Sequence, residues 1–205
     1  MGFYSDKVVP RLVTCACGTK PILKQREKVV PQARGHVLEI GMGAGHNLPY
    51  YRAEQVERIV GIDPCSTSWA LAQPRATSLG VPLEFIEGSA ESIPLPDEEF
   101  DTVLMTYSLC TIPDAQAALQ EIRRVLKPGG RLVFCEHGEA PDVSVARWQQ
   151  RVNPVWRKLL GGCNLNRPIT RWISDAGFSI SALDQMYLPG TPRIAGFNVW
   201  GSAER

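Results

Sequence analysis

Gly41, Gly43 and Gly45, in the run LEIGMGAGHN, are the residues whose type and spacing most directly imply chemistry. They follow Val37, Leu38 and Ile40, which read as a buried parallel strand. Glycine there lets the backbone turn tightly and approach a ligand before a helix begins. The next apolar run, RIVGID, ends in Asp63, about 20 residues beyond Gly41. A carboxylate at that point lies beside the first strand and can accept two hydrogen bonds from a ribose diol. The two signals together predict a nucleoside-containing cofactor. The glycines run G-x-G-x-G, and His46 stands where a pyrophosphate-binding G-x-G-x-x-G would need its third glycine. Glu39 brings negative charge close to where a phosphate would sit, which suits a hydrogen-bond donor or a cation instead.

A second group of residues has acceptor chemistry. His137 follows a strand in FCEHGEAP and titrates near neutral pH, so it is the candidate to take a proton from an acceptor. Glu136 is placed to orient it or to attract a cationic acceptor, although neighbours in extended backbone point to opposite faces. Trp148, Val152 and Trp156 recur four apart and share one helical face. They read first as core packing and second as a wall of the acceptor pocket. Gly161 and Gly162 then break the helix before CNLNR, where Cys163, Asn166 and Arg167 bring polar groups. Asn166 is suited to orienting an acceptor. Arg167 suits an anionic acceptor group, a helix cap or a carboxylate partner. Cys110 reads as a small core residue more than as an acceptor contact.

These residues need a scaffold of alternating strands and helices. Strands are expected over 37–40, 58–62, 83–87, 102–106 and 131–135, with helices over 47–55, 66–79, 114–126 and 145–160. Ala115, Leu119, Ile122 and Leu126 recur at helical spacing, and Lys127-Pro128-Gly129-Gly130 stops that helix. A short helix over 170–176 precedes strands near 178–184 and 194–202, which the turn-forming LPGTPR joins as an antiparallel hairpin at the sheet edge. The expected fold is α/β, a doubly wound sheet with helices on both faces. No second glycine-rich turn and no internal repeat are present, unlike dehydrogenases that repeat the mononucleotide half.

The chain has 205 residues, enough for one domain with its own core. Its 22 Lys+Arg against 21 Asp+Glu leave a formal net charge of +1, which argues against a nucleic-acid substrate, since that affinity begins with phosphate neutralisation. Six cysteines are scattered through apolar runs without a CxxC pair, so a reducing cytoplasm and no metal site are expected. No run approaches the length of a membrane span, which leaves peripheral membrane contact open.

LEIGMGAGHN, EGSAESIPLPDEEFD and LKPGGRL, in this order over roughly residues 35–203, resemble the class I S-adenosylmethionine-dependent methyltransferases, small-molecule branch. The resemblance implies a seven-stranded, Rossmann-like sheet with a reversed final strand, and S-adenosylmethionine as cofactor. That cofactor has no phosphate and carries a sulfonium and an ammonium. By the same resemblance the glycine motif meets the amino-acid part of the cofactor, Glu39 organises the loop and Asp63 holds the ribose. Pro64 and Cys65 border adenine, with Ser89 and Ala90 in the enclosing loop. Many relatives carry aspartate at the position of Ser89, whose own hydroxyl suits either adenine or a simple turn. Thr106, Tyr107 and Leu109 line the floor. TYSLCTIPD has neither the Asn-Pro-Pro nor the Asp-Pro-Pro motif of many nucleic-acid or protein amide methyltransferases.

FCEHGEAP and WQQRVNPVWRKLLGGCNLNRPITRWISDAGFS further resemble the branch of the methyltransferase-like thiol methyltransferases and their bacterial relatives. Animal members carry an N-terminal hydrophobic anchor that is not seen in this sequence. A thiol is the acceptor this resemblance implies. The alternatives are lipid or quinone methylation, and cofactor binding without catalysis. Residues 1–30 are expected to cover the cofactor cleft with two small helices, the first started by Pro10 and the second by Pro21, over a single catalytic domain spanning 31–205.

Overall fold

Strands whose two faces are both apolar can be satisfied only between two layers of helices, and the sheet alternation shows this directly. Leu38, Ile40, Val60, Ile62, Val103, Met105, Leu132 and Phe134 face one core, while Val37, Ile59, Leu104, Val133 and Cys135 face the other. The computed structural model describes residues 14–77 and 79–205. Its strands are β1 (Gly35–Ile40), β2 (Val56–Asp63), β3 (Leu83–Glu87), β4 (Phe100–Thr106), β5 (Leu126–His137), β6 (Ser179–Tyr187) and β7 (Phe197–Glu204). They form one sheet in the order β3-β2-β1-β4-β5-β7-β6. β1 pairs in parallel with β2 and β4, while β7 runs antiparallel to both β5 and β6. The expected α/β fold with its C-terminal antiparallel hairpin is the observed one. The order reverses at β1, so the carboxyl ends of β1, β2 and β4 open the crevice where such sheets bind ligands.

The helices are α1 (Lys20–Val29), α2 (Ser66–Ala76), α3 (Ala115–Val125), α4 (Val143–Leu159), α5 (Ile169–Asp175) and α6 (Arg193–Gly196). In α3 the Asp114 side chain accepts from the Ala117 amide and caps the first turn, and Ala115, Ala118, Leu119, Ile122 and Val125 form the buried stripe. Pro21 lies in the first turn of α1, as expected of a helix start. The first expected helix of the cover, started by Pro10, lies outside the described residues.

Three expectations change. The helix over 47–55 is instead a single 3-10 turn, Leu48–Tyr50, because Tyr51 turns extended (ψ 142°) and sends its hydroxyl to Glu39. β5 begins at Leu126, earlier than residue 131, because Leu126 pairs with Phe100 across a register shift. Trp148 is 56% exposed and packs no core, since α4 buries Val145 and Gln149 instead. Among the described residues, no helix is long and apolar enough to cross a membrane.

Candidate functional site

The glycine loop between β1 and the turn Leu48–Tyr50 takes left-handed backbone at all three glycines, with φ of 69°, 52° and 70° at Gly41, Gly43 and Gly45. They differ in what surrounds them. A Cβ on Gly41 would collide with Ser108, and one on Gly45 would press Leu48 and Ala72 at under 3 Å. A Cβ on Gly43 would meet only Asp63 Oδ2 and Gly41 O, both at 3.9 Å. Gly43 is thus the point at which backbone itself faces a cavity of about 300 Å³, whose walls include Asp63, Ser89, Ala90 and Tyr107.

Asp63, at the end of β2, accepts the Gly43 amide at 2.9 Å on Oδ2 and the Cys65 amide at 2.8 Å on Oδ1. Each oxygen keeps a further acceptor direction. Burial raises its pKa, and these two amide bonds oppose the rise. Pro64, Cys65 and Thr106 also line the cavity. The Ser89 hydroxyl donates to Glu91 at 2.8 Å and accepts the Glu91 amide, so it closes its own turn at the cavity edge. Leu109, expected on the floor, is fully buried in the core, and Ser108 lines the cavity instead.

Beneath the loop lies a buried polar network. Glu39, 1% exposed, accepts from Asn47 Nδ2 at 2.9 Å and from the Tyr51 hydroxyl at 2.7 Å. Burial pushes its carboxyl up to about 7, against the pull of both bonds. Arg26 of α1 joins the network from outside the sheet, giving Nη1 to Asn47 Oδ1 at 2.7 Å and to Thr106 Oγ1 at 2.6 Å. Its guanidinium lies 5.1 Å from the Tyr107 ring centroid, and its buried Nε has no partner among the described residues. A buried, unpaired guanidinium nitrogen is costly unless something meets it, and Arg26 lines the cavity. Sequence reading missed this residue, since KQREKVV offers nothing to separate Arg26 from the other charges of a solvated helix.

The end of β4 carries strain. Tyr107 has φ 55°, a left-handed conformation that costs a non-glycine residue on the order of 1–3 kcal/mol. It is held by its amide to Cys135 O at 2.9 Å and its hydroxyl to Asn198 at 2.7 Å. Glu136, fully buried, accepts the amides of Ser108, Leu109 and Cys110 at 2.8, 3.1 and 3.4 Å. Arg167 donates to the carbonyls of Leu109 and Ile112. Both residues thereby shape the loop after β4. The expectation that Glu136 orients His137 or meets an acceptor, and that Arg167 binds an anionic acceptor group, gives way to this role, because unpaired loop amides and carbonyls claim both charges. His137 lies behind Tyr107, with ring centroids 6.5 Å apart, and its Nε2 is 3.1 Å from Cys163 Sγ.

A ligand suited to this arrangement presents a diol to Asp63, a flat apolar ring to Pro64 and Ala90, and an anionic end to Arg26. A family model described as a methyltransferase domain matches residues 38–134. Thiol S-methyltransferase TMT1B of Rattus norvegicus is 34% identical over 168 residues, which cover 78% of this chain and 68% of that protein. Thiol S-methyltransferase TMT1A of Homo sapiens is 30% identical over 178 residues, 84% and 72% of the two chains. Among solved structures, the YcgJ protein of Bacillus subtilis is similar with a TM-score of 0.65 at 21% identity, covering 89% of this chain and 94% of that one. A methyltransferase from Aquifex aeolicus gives 0.66 at 18% identity, covering 95% and 97%. These structural likenesses concern the fold.

Proposed function

The chain belongs to the class I S-adenosylmethionine-dependent methyltransferases, as an enzyme that transfers a methyl group to a small-molecule acceptor, and from that premise we propose that the acceptor is a thiol. The observation that carries this reading is the 168-residue likeness to a thiol S-methyltransferase, which is longer than the matched domain of residues 38–134. The shared sequence therefore includes segments beyond the common cofactor half.

S-adenosylmethionine, when bound, supplies an electrophilic methyl group on a sulfonium. The cradle fits it on two counts: open backbone at Gly43, and a buried Arg26 Nε that a carboxylate would satisfy. In this reading Asp63 takes the ribose hydroxyls, and Pro64, Ser89 and Ala90 border adenine. Backbone at Gly41, Gly43 and Gly45 surrounds the amino-acid end, with Glu39 holding Asn47 and Tyr51 beneath it. Thr106 and Tyr107 form the floor. His137 is the residue proposed to activate the acceptor, whose sulfur must lose its proton before it attacks.

Thr14, Cys17 and Arg26 stand in the cavity wall, which supports residues 1–30 as a cover that excludes water during transfer. Six free cysteines support a reducing compartment, the cytoplasm. The test combines calorimetry with S-adenosylmethionine and mass spectrometry after incubation with thiol, phenol, amine and lipid pools. Cofactor binding with a methyl thioether product is expected. Products from the lipid or phenol pool alone would overturn the thiol assignment.

A further inference from the structure

Three side chains far apart in sequence meet beside the cavity, next to its lining residues Tyr107 and Thr111. Cys110 comes from the loop after β4, His137 from the end of β5, and Cys163 from the loop after the Gly161–Gly162 break. Their ligand atoms all lie within 4.8 Å of one another. Cys163 Sγ is 3.1 Å from His137 Nε2 and 3.9 Å from Cys110 Sγ. Tetrahedral zinc sets two thiolate sulfurs about 3.8 Å apart and sulfur and imidazole nitrogen about 3.6 Å apart. Two of the three pairs are therefore within about 0.5 Å of a zinc-ligand spacing, and the third, Cys110 Sγ to the His137 ring nitrogen, is within 4.8 Å.

The scaffold around them is built to hold still. Asn164 gives both its amide and its Nδ2 to Cys110 O, at 2.9 and 3.0 Å, tying the two cysteine loops together. Glu136 fixes the Cys110 amide from the other side. Trp156 points Nε1 at Cys163 Sγ at 3.5 Å, a donor of the sort that supports a metal-bound thiolate. The cluster also borders the acceptor side. The ring of Tyr107, which lines the cavity, stacks on His137, and the hydroxyl of Thr111, another lining residue, is 3.5 Å from Cys110 Sγ.

We propose that Cys110, His137 and Cys163 form a three-ligand zinc site whose open fourth position takes the acceptor thiol. This rests on the thiol reading and deepens it, since His137 then activates the acceptor as a metal ligand and not as a mobile base. Two cysteines and a histidine with one open position make a catalytic, not a closed structural, ligand set. On coordination the acceptor's S–H bond breaks, the proton leaves to solvent, and the sulfur lone pair bonds the cation. In transfer that sulfur gains the methyl carbon, and the cofactor's sulfonium keeps the electron pair of the broken bond as a neutral thioether.

The test starts from full-length protein stripped with a chelator and titrated with Co²⁺. About one equivalent should produce a thiolate-to-cobalt charge-transfer band with tetrahedral visible bands, both bleached by Zn²⁺. Cys163→Ser and Cys110→Ser should each lose charge-transfer intensity, His137→Gln should shift the visible bands, and Cys15→Ser, at an exposed cysteine, should match the parent. Folding of each variant is checked by retained S-adenosylmethionine binding. A folded parent without the band, or Cys163→Ser with the full band, would overturn the site. Full thiol turnover by metal-free protein would also overturn it and leave the thiol reading intact. The cobalt spectrum without any thiol methylation would keep the three metal ligands and overturn both the thiol reading and the acceptor's place at the fourth position.

Discussion

Asp63 is asked to do two things with one carboxylate. Its Gly43 and Cys65 bonds hold the glycine loop and the β2 end together, and its remaining acceptor directions are the ones proposed for ribose. Asp63→Ala should weaken S-adenosylmethionine binding by roughly 3–6 kcal/mol, the range for two hydrogen bonds to a charged group. Asp63→Asn should recover part of it. Titration calorimetry reads both, and parent-like affinity in the alanine variant would remove Asp63 from the site. Glu39 leads to a different measurement. Its folded pKa of about 7 lies above the ordinary carboxylate value because burial disfavours its charge. The folded state therefore holds a proton that the unfolded state has released between pH 4.5 and 7. The resulting contribution to stability is fully present below pH 4.5 and is lost as pH rises through 7. Urea denaturation should show the parent losing on the order of 3 kcal/mol over that window relative to Glu39→Gln. Parallel stability curves would show that Glu39 does not titrate there.

At the scale of elements, the part of the molecule outside the Rossmann-like sheet bears on function most. Helix α1 contributes no strand pairing, yet it places Arg26 on Asn47, Thr106 and the Tyr107 ring, and so couples the N-terminal segment to the cavity wall. The preceding residues Thr14 and Cys17 add wall on the same side. Removing residues 1–19 leaves α1 and Arg26 in place while opening that wall. Turnover should fall at least about tenfold, as for loss of a lid that excludes water, while urea stability of the sheet changes little. Undiminished turnover would defeat the cover. The loop after β4 is the other decisive element. Glu136 takes its amides and Arg167 its carbonyls, so a buried carboxylate and a half-buried guanidinium build one irregular turn that carries Tyr107 and Cys110.

Across the whole molecule, local sequence determined what local physics can express. Apolar runs identified β1, β2, β4 and β5, because a strand buried on both faces must be apolar along its length, while the largely exposed β6 was marked by the turn-forming LPGTPR before β7. The run Ala115, Leu119, Ile122 identified the amphipathic α3, since its period matches one buried face. Glycines at Gly41, Gly43 and Gly45, with Asp63 at the next strand end, marked the cavity proposed to hold the cofactor. Left-handed backbone and an acid at a strand end each leave a residue type at a fixed offset. Only tertiary structure decided the rest. Tyr51 leaves the expected helix to reach Glu39, Arg26 is buried against a wall its own segment does not predict, and Glu136 turns to loop amides. Cys110, His137 and Cys163 come within 4.8 Å of one another only because the adjacent parallel strands β4 and β5 finish side by side and the loop after α4 returns to the same end of the sheet. Such convergence depends on which strand ends lie side by side, and no spacing along one chain records that.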